Sequence, residues 1–359
     1  MINIAVLGYG TVGSGVVEVI NTNQEIINQK AGQEVHIKYV LDLRDFPGDP
    51  VEEILVHDYK QIVNDEEVDI IVEVMGGLKP AYSFVKQALT AGKSVVTSNK
   101  ELVAKHGAEL LAIAKQSNVN FLFEASVGGG IPIIRPLLTS ITADDVTEIT
   151  GILNGTTNYI LTRMADNGDD FARALKTAQD NGYAERDPEA DVEGHDACRK
   201  IAILASLAYG KQVDFEDIYT EGITRISDRD IRYAKSMNAA IKLLATVQKV
   251  NGTLYAMVVP MLIKEKHPLF HVSDVFNAVM VHGNMVDDLM FYGRGAGKLP
   301  TASAVVSDVV DAARHLHENM PVEWSAEKQK LGSFEEAEHR FFVRFRGDTL
   351  DDMEIINEY

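Results

Sequence analysis

The stretch Gly8-Tyr9-Gly10-Thr11-Val12-Gly13 follows directly on the apolar run Ile2-Asn3-Ile4-Ala5-Val6-Leu7, and it limits the fold more than any other feature of the chain. In a G-x-G-x-x-G turn between a strand and a helix, the first glycine allows tight turning, the second lets the backbone approach a pyrophosphate, and the third lets helix pack closely on strand. The helix that follows points its free N–H groups at the phosphates. In this context Gly8, Gly10, Thr11, Val12 and Gly13 are assigned to a dinucleotide, NAD or NADP. A glycine pair in an ordinary surface turn is the plainer alternative, and it would not require this placement.

The apolar pattern downstream predicts a helix over residues 14–27, a strand over 35–41, a helix near 51–63 and a strand over 69–74. Such a βαβαβ series is half of a doubly wound parallel sheet. A helix over 82–91, a strand over 94–97, a helix over 100–116 and a strand over 120–126 extend it. After Gly128-Gly129-Gly130 the pattern changes to longer strands, 146–153 and 253–264, separated by amphipathic helices. The expected fold class is α/β, a Rossmann-like doubly wound sheet with a second α+β domain. A helix from about Pro300 to Leu316 reads as a return to the first domain. The dinucleotide-binding domain is thus expected to be discontinuous, 1–127 plus about 300–320, with 128–299 as the substrate and dimerisation domain. Residues 321–359 form a tail in which 340–345 alternates like a single strand.

Composition removes several classes. With 46% hydrophobic and 24% charged residues among 359, the chain has the profile of a folded protein. Its 34 basic and 53 acidic residues give a formal charge of −19, which opposes any general attraction to nucleic-acid phosphates. The single cysteine, Cys198, excludes an intrachain disulfide and a multi-cysteine zinc site. No apolar run reaches membrane-spanning length and no basic segment precedes the first strand. The expectation is a cytoplasmic enzyme without a membrane partner.

Coenzyme choice stays open in the sequence. Asp42, at the end of the second expected strand, suits a ribose 2′-hydroxyl, although it lies farther from the turn than is usual; Arg44 equally suits a 2′-phosphate.

The chemistry gathers further on. Glu185-Arg186-Asp187-Pro188-Glu189-Ala190-Asp191 is an acidic loop leading into a helix that carries Asp196 and Lys200, four apart and therefore on one face. Ala197, Ile201 and Leu204 flank that face, so Lys200 is expected to be partly buried and able to exchange a proton with a substrate oxygen. A structural i,i+4 ion pair is the plainer alternative. The acids at the helix mouth favour a substrate bearing an ammonium and a hydroxyl. Lys100 follows Thr97-Ser98-Asn99 at the carboxyl end of a strand, where ligands collect in such sheets, and a lysine opening a helix opposes its dipole. Cys198 reads as a buried structural thiol, His195 lacks a second histidine at metal-ligand spacing, and Met237, Met257, Met261, Met280, Met285 and Met290 read as core and interface filler.

Taken in order, several segments resemble homoserine dehydrogenase over about residues 1–320. They are Gly8 to Gly13, Thr97-Ser98-Asn99-Lys100-Glu101, Phe123-Glu124-Ala125-Ser126-Val127-Gly128-Gly129-Gly130-Ile131-Pro132, Gly151-Ile152-Leu153-Asn154-Gly155-Thr156-Thr157-Asn158-Tyr159-Ile160-Leu161, residues 185–200, and Gly293-Arg294-Gly295-Ala296-Gly297-Lys298-Leu299-Pro300-Thr301-Ala302-Ser303. The resemblance implies reversible reduction of L-aspartate 4-semialdehyde to L-homoserine, on the route to threonine and methionine. It implies Lys200 as proton donor or acceptor and Lys100 as the group orienting substrate oxygen and nicotinamide. Glu185, Asp191 and Thr156 would hold the substrate, Asp196 would support Lys200, and Gly297 would approach the cofactor.

The resemblance also implies a structural sodium ion near Glu124, Val127, Gly129 and Ile131, held largely by backbone carbonyls, and a homodimer. Longer members carry an ACT domain after a strand resembling residues 341–345, whereas this sequence stops at Tyr359. The expectation is no complete ACT domain and no threonine feedback through one. Two other readings are an enzyme of the aspartate semialdehyde dehydrogenase type, which needs a cysteine nucleophile, and a non-catalytic NAD(P)-sensing protein.

Overall fold

The computed structural model describes residues 1–336 and Arg340. Its first half is built on β1 (Ile2–Leu7), β2 (Val35–Leu41), β3 (Leu55–Val56), β4 (Val68–Glu73), β5 (Ser94–Thr97) and β6 (Phe121–Leu122). These strands are all parallel, in the order β3-β2-β1-β4-β5-β6. The order reverses between β1 and β4, which opens the crevice where such sheets take ligands.

Helices α1 (Thr11–Thr22), α2 (Gln24–Ala31), α3 (Tyr59–Val63), α4 (Ala81–Thr90) and α5 (Lys100–Gln116) connect the strands. Ile4, Val6, Ile70 and Val72 face α1, while Ala5, Leu7 and Ile71 face α4 and α5. Burial on both faces explains why these strands read as unbroken apolar runs.

Local chemistry sets boundaries that the apolar pattern blurs. The helix expected over 14–27 starts earlier, at Thr11, because Gly10 takes the N-cap position, and it breaks at Asn23 into two. The helix expected near 51–63 is a 3-10 turn, Pro50–Ile54, then β3, then α3. The Asp49 and Asp58 carboxylates accept from the N–H groups of Val51 and Lys60, and each restarts the chain. The strand expected over 120–126 shrinks to β6 followed by the turn Glu124–Ser126.

The chain continues through α6 (Ile134–Thr139), β7 (Val146–Ile152), α7 (Gly155–Asn167), α8 (Phe171–Asp180), α9 (Glu189–Val192), α10 (His195–Tyr209), β8 (Lys211–Gln212), β9 (Tyr219–Thr220) and α11 (Asp228–Ser236). Then come β10 (Ala239–Val250), β11 (Thr253–Lys264), β12 (Phe276–Gly283), β13 (Asp287–Arg294), α12 (Lys298–Arg314) and β14 (Ser325–Lys328). The second sheet has the order β13-β12-β7-β10-β11-β9. Ile149, Leu243, Ala245, Val247 and Val279 on one face join the core with Ile201 and Leu204 of α10.

The opposite face carries a row, Met257–Thr246–Thr150–Met280–Met290, that crosses five strands in register. Met290 is 46% exposed, and Tyr292, two residues along β13, is 53% exposed. Met237 and Met285 are exposed too, at 39% and 81%, so neither fills the core. The apolar pattern did not reveal β10 or the β12–β13 hairpin.

Helix α12 returns to the first sheet. Ala302, Val305 and Val309 pack in one cluster with Ile4 and Val6. A Cβ on Gly15 of α1 would lie 2.9 Å from the Lys298 carbonyl oxygen, so only glycine allows this approach. Further on, β14 pairs with β8, and Trp324 lies against Gly107, where a Cβ would come within 2.8 Å of the indole. The Trp324 Nε1–H donates to Gln212 Oε1 at 3.0 Å. Apart from Arg340, the strand expected over 340–345 lies outside the described residues. Among the described residues, no helix is long and apolar enough to cross a membrane.

Candidate active site

The glycine turn has the shape its spacing promised. Gly8 has φ +99°, open only to glycine at small cost. A Cβ on Gly13 would lie 1.9 Å from the Gly8 carbonyl oxygen, so α1 could not approach β1 with any other residue there. A Cβ on Gly10, by contrast, would meet nothing within 4 Å, which leaves that side open to an approaching phosphate. Thr11 and Val12 then open α1, whose first N–H groups have no intrahelical acceptor. These residues fit a dinucleotide pyrophosphate. Gly297, with φ +123°, leads into α12.

Asp42 and Arg44 are joined. Asp42 Oδ2 accepts from the Tyr9 N–H at 2.8 Å and from an Arg44 terminal nitrogen at 3.0 Å. Its Oδ1 accepts from the Arg44 N–H and Nε, each at 3.0 Å. The guanidinium holds the Asp42 carboxyl well below the usual carboxylate range. Four donors use the accepting capacity of both oxygens, while the Arg44 side chain remains 62% exposed.

The second group forms around Asp196, in the first turn of α10, where a carboxylate complements the helix dipole. Its Oδ1 meets Lys100 Nζ at 2.5 Å and its Oδ2 meets Lys200 Nζ at 2.7 Å. Burial alone would raise the Asp196 carboxyl, but the two ammonium groups outweigh it and hold it low. Lys200 is buried and also donates to the Leu153 carbonyl at 2.8 Å. Burial would lower the Lys100 amine, yet the Asp196 charge beside it leaves it raised. Lys100 stands at the start of α5 because Asn99 caps that helix, its Oδ1 accepting from the Leu102 N–H at 3.1 Å.

Asn154 completes the group. Its Nδ2 donates to Asp191 Oδ1 at 2.7 Å and to Asp196 Oδ2 at 2.9 Å, while its Oδ1 caps α7 through the Thr157 N–H at 2.9 Å. Sequence reasoning gave Asn154 no role, although an Asn ahead of Gly-Thr-Thr is an N-cap signal. Burial, with the Asp196 charge behind it, pushes the Asp191 carboxyl up.

The structure thus brings Lys100, Lys200, Asp191 and Asp196 together. It does not bring in Glu185, which sits exposed on its loop, its side chain meeting none of these groups. Thr156 is half-buried beside the cluster, its hydroxyl donating to the Tyr183 carbonyl at 2.7 Å. The Glu124 carboxylate accepts from the N–H groups of Ile133, Ile134 and Arg135 at 2.6, 2.8 and 2.7 Å, and Val127, Gly129 and Ile131 are buried beyond it. Cys198 is buried, its thiol donating to the Phe215 carbonyl at 3.2 Å, and burial pushes that thiol up, which opposes nucleophilic use. His195 is exposed.

A Bacillus subtilis protein named homoserine dehydrogenase is 43% identical over 319 residues, which cover 88% of this chain and 73% of that protein. The chain belongs to the homoserine dehydrogenase family. The family model for homoserine dehydrogenase matches residues 132–310, and that for the homoserine dehydrogenase NAD-binding domain matches residues 8–124. The solved homoserine dehydrogenase of Thiobacillus denitrificans superposes with a TM-score of 0.83 at 43% identity, covering 87% of this chain and 73% of that one. A hyperthermophilic archaeal homoserine dehydrogenase, solved in complex with NADPH, gives a TM-score of 0.74 at 30% identity, covering 87% and 97%.

As a homoserine dehydrogenase the chain is an NAD(P)-dependent oxidoreductase that interconverts L-homoserine and L-aspartate 4-semialdehyde, in amino-acid biosynthesis. Its fold is the expected Rossmann-like sheet with a second, mixed sheet. The readings as an acyl-transferring aldehyde dehydrogenase and as a non-catalytic sensor fall away.

Proposed function

We propose that Lys200 exchanges the proton of the homoserine hydroxyl and that Lys100 orients that oxygen. The observation that carries this reading is one buried carboxylate, Asp196, bound to both lysines. When bound, the nicotinamide supplies the hydride acceptor or donor. In the reductive direction the Lys200 ammonium gives its proton to the substrate oxygen as the alcohol forms, and in the oxidative direction the neutral amine takes the hydroxyl proton and becomes that ammonium as the aldehyde forms. Asp196 and the Leu153 carbonyl fix where that nitrogen sits. Asp191, on α9, serves the substrate ammonium with Thr156 beside it, while Glu185 stands outside this group on its exposed loop.

Gly8, Gly10, Thr11, Val12 and Gly13 cradle the pyrophosphate, and Gly297 borders the cofactor. The Asp42 oxygens are already used by protein donors, whereas the Arg44 guanidinium faces solvent, and this favours a 2′-phosphate and hence NADP. A sodium ion would take the carbonyl oxygens of Glu124, Val127, Gly129 and Ile131, hard donors suited to a hard cation. The Glu124 carboxylate is already committed to three N–H groups, so that residue offers only its carbonyl.

The half-exposed methionine and tyrosine face of β13 supports a homodimer built on the second sheet, in a cytoplasmic enzyme. The division into 1–127 plus about 300–320, 128–299 and a tail from 321 is consistent with α12 packing on α1.

Reduction of NAD and of NADP, followed side by side by nicotinamide absorbance with homoserine as substrate, tests this function. The expected outcome is homoserine-dependent reduction that falls about 10²–10⁴-fold in Lys200→Ala. Wild-type turnover in that variant would overturn the assignment.

A further inference from the structure

Glu73 closes β4 after Ile70, Ile71 and Val72, and like them it is 0% exposed. A carboxylate ending an apolar strand in the centre of a sheet is costly unless donors meet it. Here they come from two separate segments, the loop after β4 and the link between β5 and α5. Oε1 accepts from the Met75 N–H at 2.9 Å, and Oε2 accepts from the Thr97 hydroxyl at 2.7 Å. The Gly76 N–H and the Asn99 side chain also act on it, opposing the burial that pushes the carboxyl up.

The connections run on in two directions. Thr97 Oγ1 accepts from the Asn99 N–H at 2.9 Å, and Asn99 Nδ2 donates to the Gly77 carbonyl at 2.6 Å. Asn99 is also the cap of α5, and the next residue is Lys100. On the other side, Met75 lies against the glycine turn, where a Cβ on Gly8 would be 3.1 Å from Met75 Cγ. One carboxylate therefore ties the Met75–Gly77 loop, beside the cofactor turn, to the start of the helix that presents Lys100 to Asp196.

We propose that Glu73 is a positioning residue for the dehydrogenase reaction: through Thr97 and Asn99 it fixes Lys100 relative to the cofactor turn. This rests on the role given above to Lys100. A residue that merely supported the fold would act equally whether or not Lys100 were present. One that acts through Lys100 loses most of its effect when Lys100 is gone.

The test is a double-mutant cycle on the full chain with Glu73→Gln, Lys100→Ala and the pair. It reads kcat and KM for homoserine, NADPH affinity by nucleotide fluorescence without substrate, and the melting temperature. Glu73→Gln is expected to lower kcat about tenfold in the wild-type background and less than about twofold in the Lys100→Ala background. NADPH affinity is expected to weaken by about threefold in both backgrounds, because the loop beside the turn is released.

Losses in kcat that multiply across the cycle, or a Glu73→Gln protein with unchanged kcat and NADPH affinity, would overturn the proposal. If Glu73→Gln does not fold, Thr97→Val carries the same cycle, since it removes the linking hydroxyl while keeping the shape. A Lys100→Ala protein with wild-type turnover sinks the role of Lys100 and this proposal with it. A damaged Lys100→Ala protein with multiplicative losses sinks this proposal alone.

Discussion

The two sheets do different work. The first is parallel, buried on both faces, and offers the site a backbone: a glycine turn, the start of α1 and the carboxyl ends of its strands. The second is mixed, packs one face on the main core and covers only part of the other with a smaller cluster around Ile152, Leu244 and Ala278, and the loops and helices around it offer side chains: Asn154, Asp191, Asp196 and Lys200. Lys100 is the exception, a side chain sent from the first region into the second, and Asp196 is where they meet. With Lys200 and Lys100 in their proposed roles, nucleotide binding can be complete within one region, whereas proton transfer needs both in register.

Asp196→Asn strikes at the junction and is expected to have the largest effect. It leaves two ammonium groups beside a neutral amide, and breaking a buried ion pair from one side costs about 3–5 kcal/mol. The expected result is a lower denaturation midpoint and a kcat drop on the order of 10²-fold, with NADPH affinity nearly unchanged. Equal loss of nucleotide affinity would break the division between regions.

Arg44→Ala probes the first region alone. It is expected to lower kcat/KM with NADP by roughly tenfold and to leave the NAD value within about twofold. Equal losses with both coenzymes would rule out a 2′-phosphate contact at Arg44.

Two further changes sharpen the view of the second sheet. Met290→Asp places a charge on its half-exposed face and is expected to raise the dimer dissociation constant about tenfold by light scattering, with the monomer fold intact. An unchanged assembly would assign the face no role in pairing.

Lys242, on the same sheet, is buried and donates to the Val272 carbonyl at 2.6 Å. Burial lowers its amine from 10.5 to about 8. Between those values the unfolded chain binds more protons than the folded one, so this group adds stability as pH rises through the window. Below it, the buried ammonium costs stability. The difference in unfolding free energy, wild type minus Lys242→Met, is expected to grow by on the order of 3 kcal/mol across that range. A flat difference would contradict the lowered amine.

The parts of this architecture that sequence alone revealed are those whose causes are local. The glycine turn, the apolar runs of β1 and β4, and the Asp196–Lys200 spacing on α10 each follow from residues a few positions apart. Hairpin β12–β13 stayed hidden because its exposed methionines and tyrosine look like scattered filler until Met280 and Met290 are seen in register. β10 carries Lys242 in the middle of its apolar run, and only Val272 and Asn158, far along the chain, explain it. Asn154 likewise needed Asp191 and Asp196, and Glu73 needed Thr97, each far along the chain. The one signal each gave was local, an Asn ahead of a helix and an acid ending an all-apolar strand.

The return of α12 also bears on how the protein comes into being. Ala302, Val305, Val309 and Ala312 complete the apolar layer over Ile4, Val6 and Val16. A nascent chain leaving the ribosome therefore exposes the part of that side which α1 and α2 leave uncovered until nearly all of the second region has been synthesised. The amino-terminal half cannot finish folding first, and truncation anywhere before α12 would release a sheet with one greasy side for chaperones to hold.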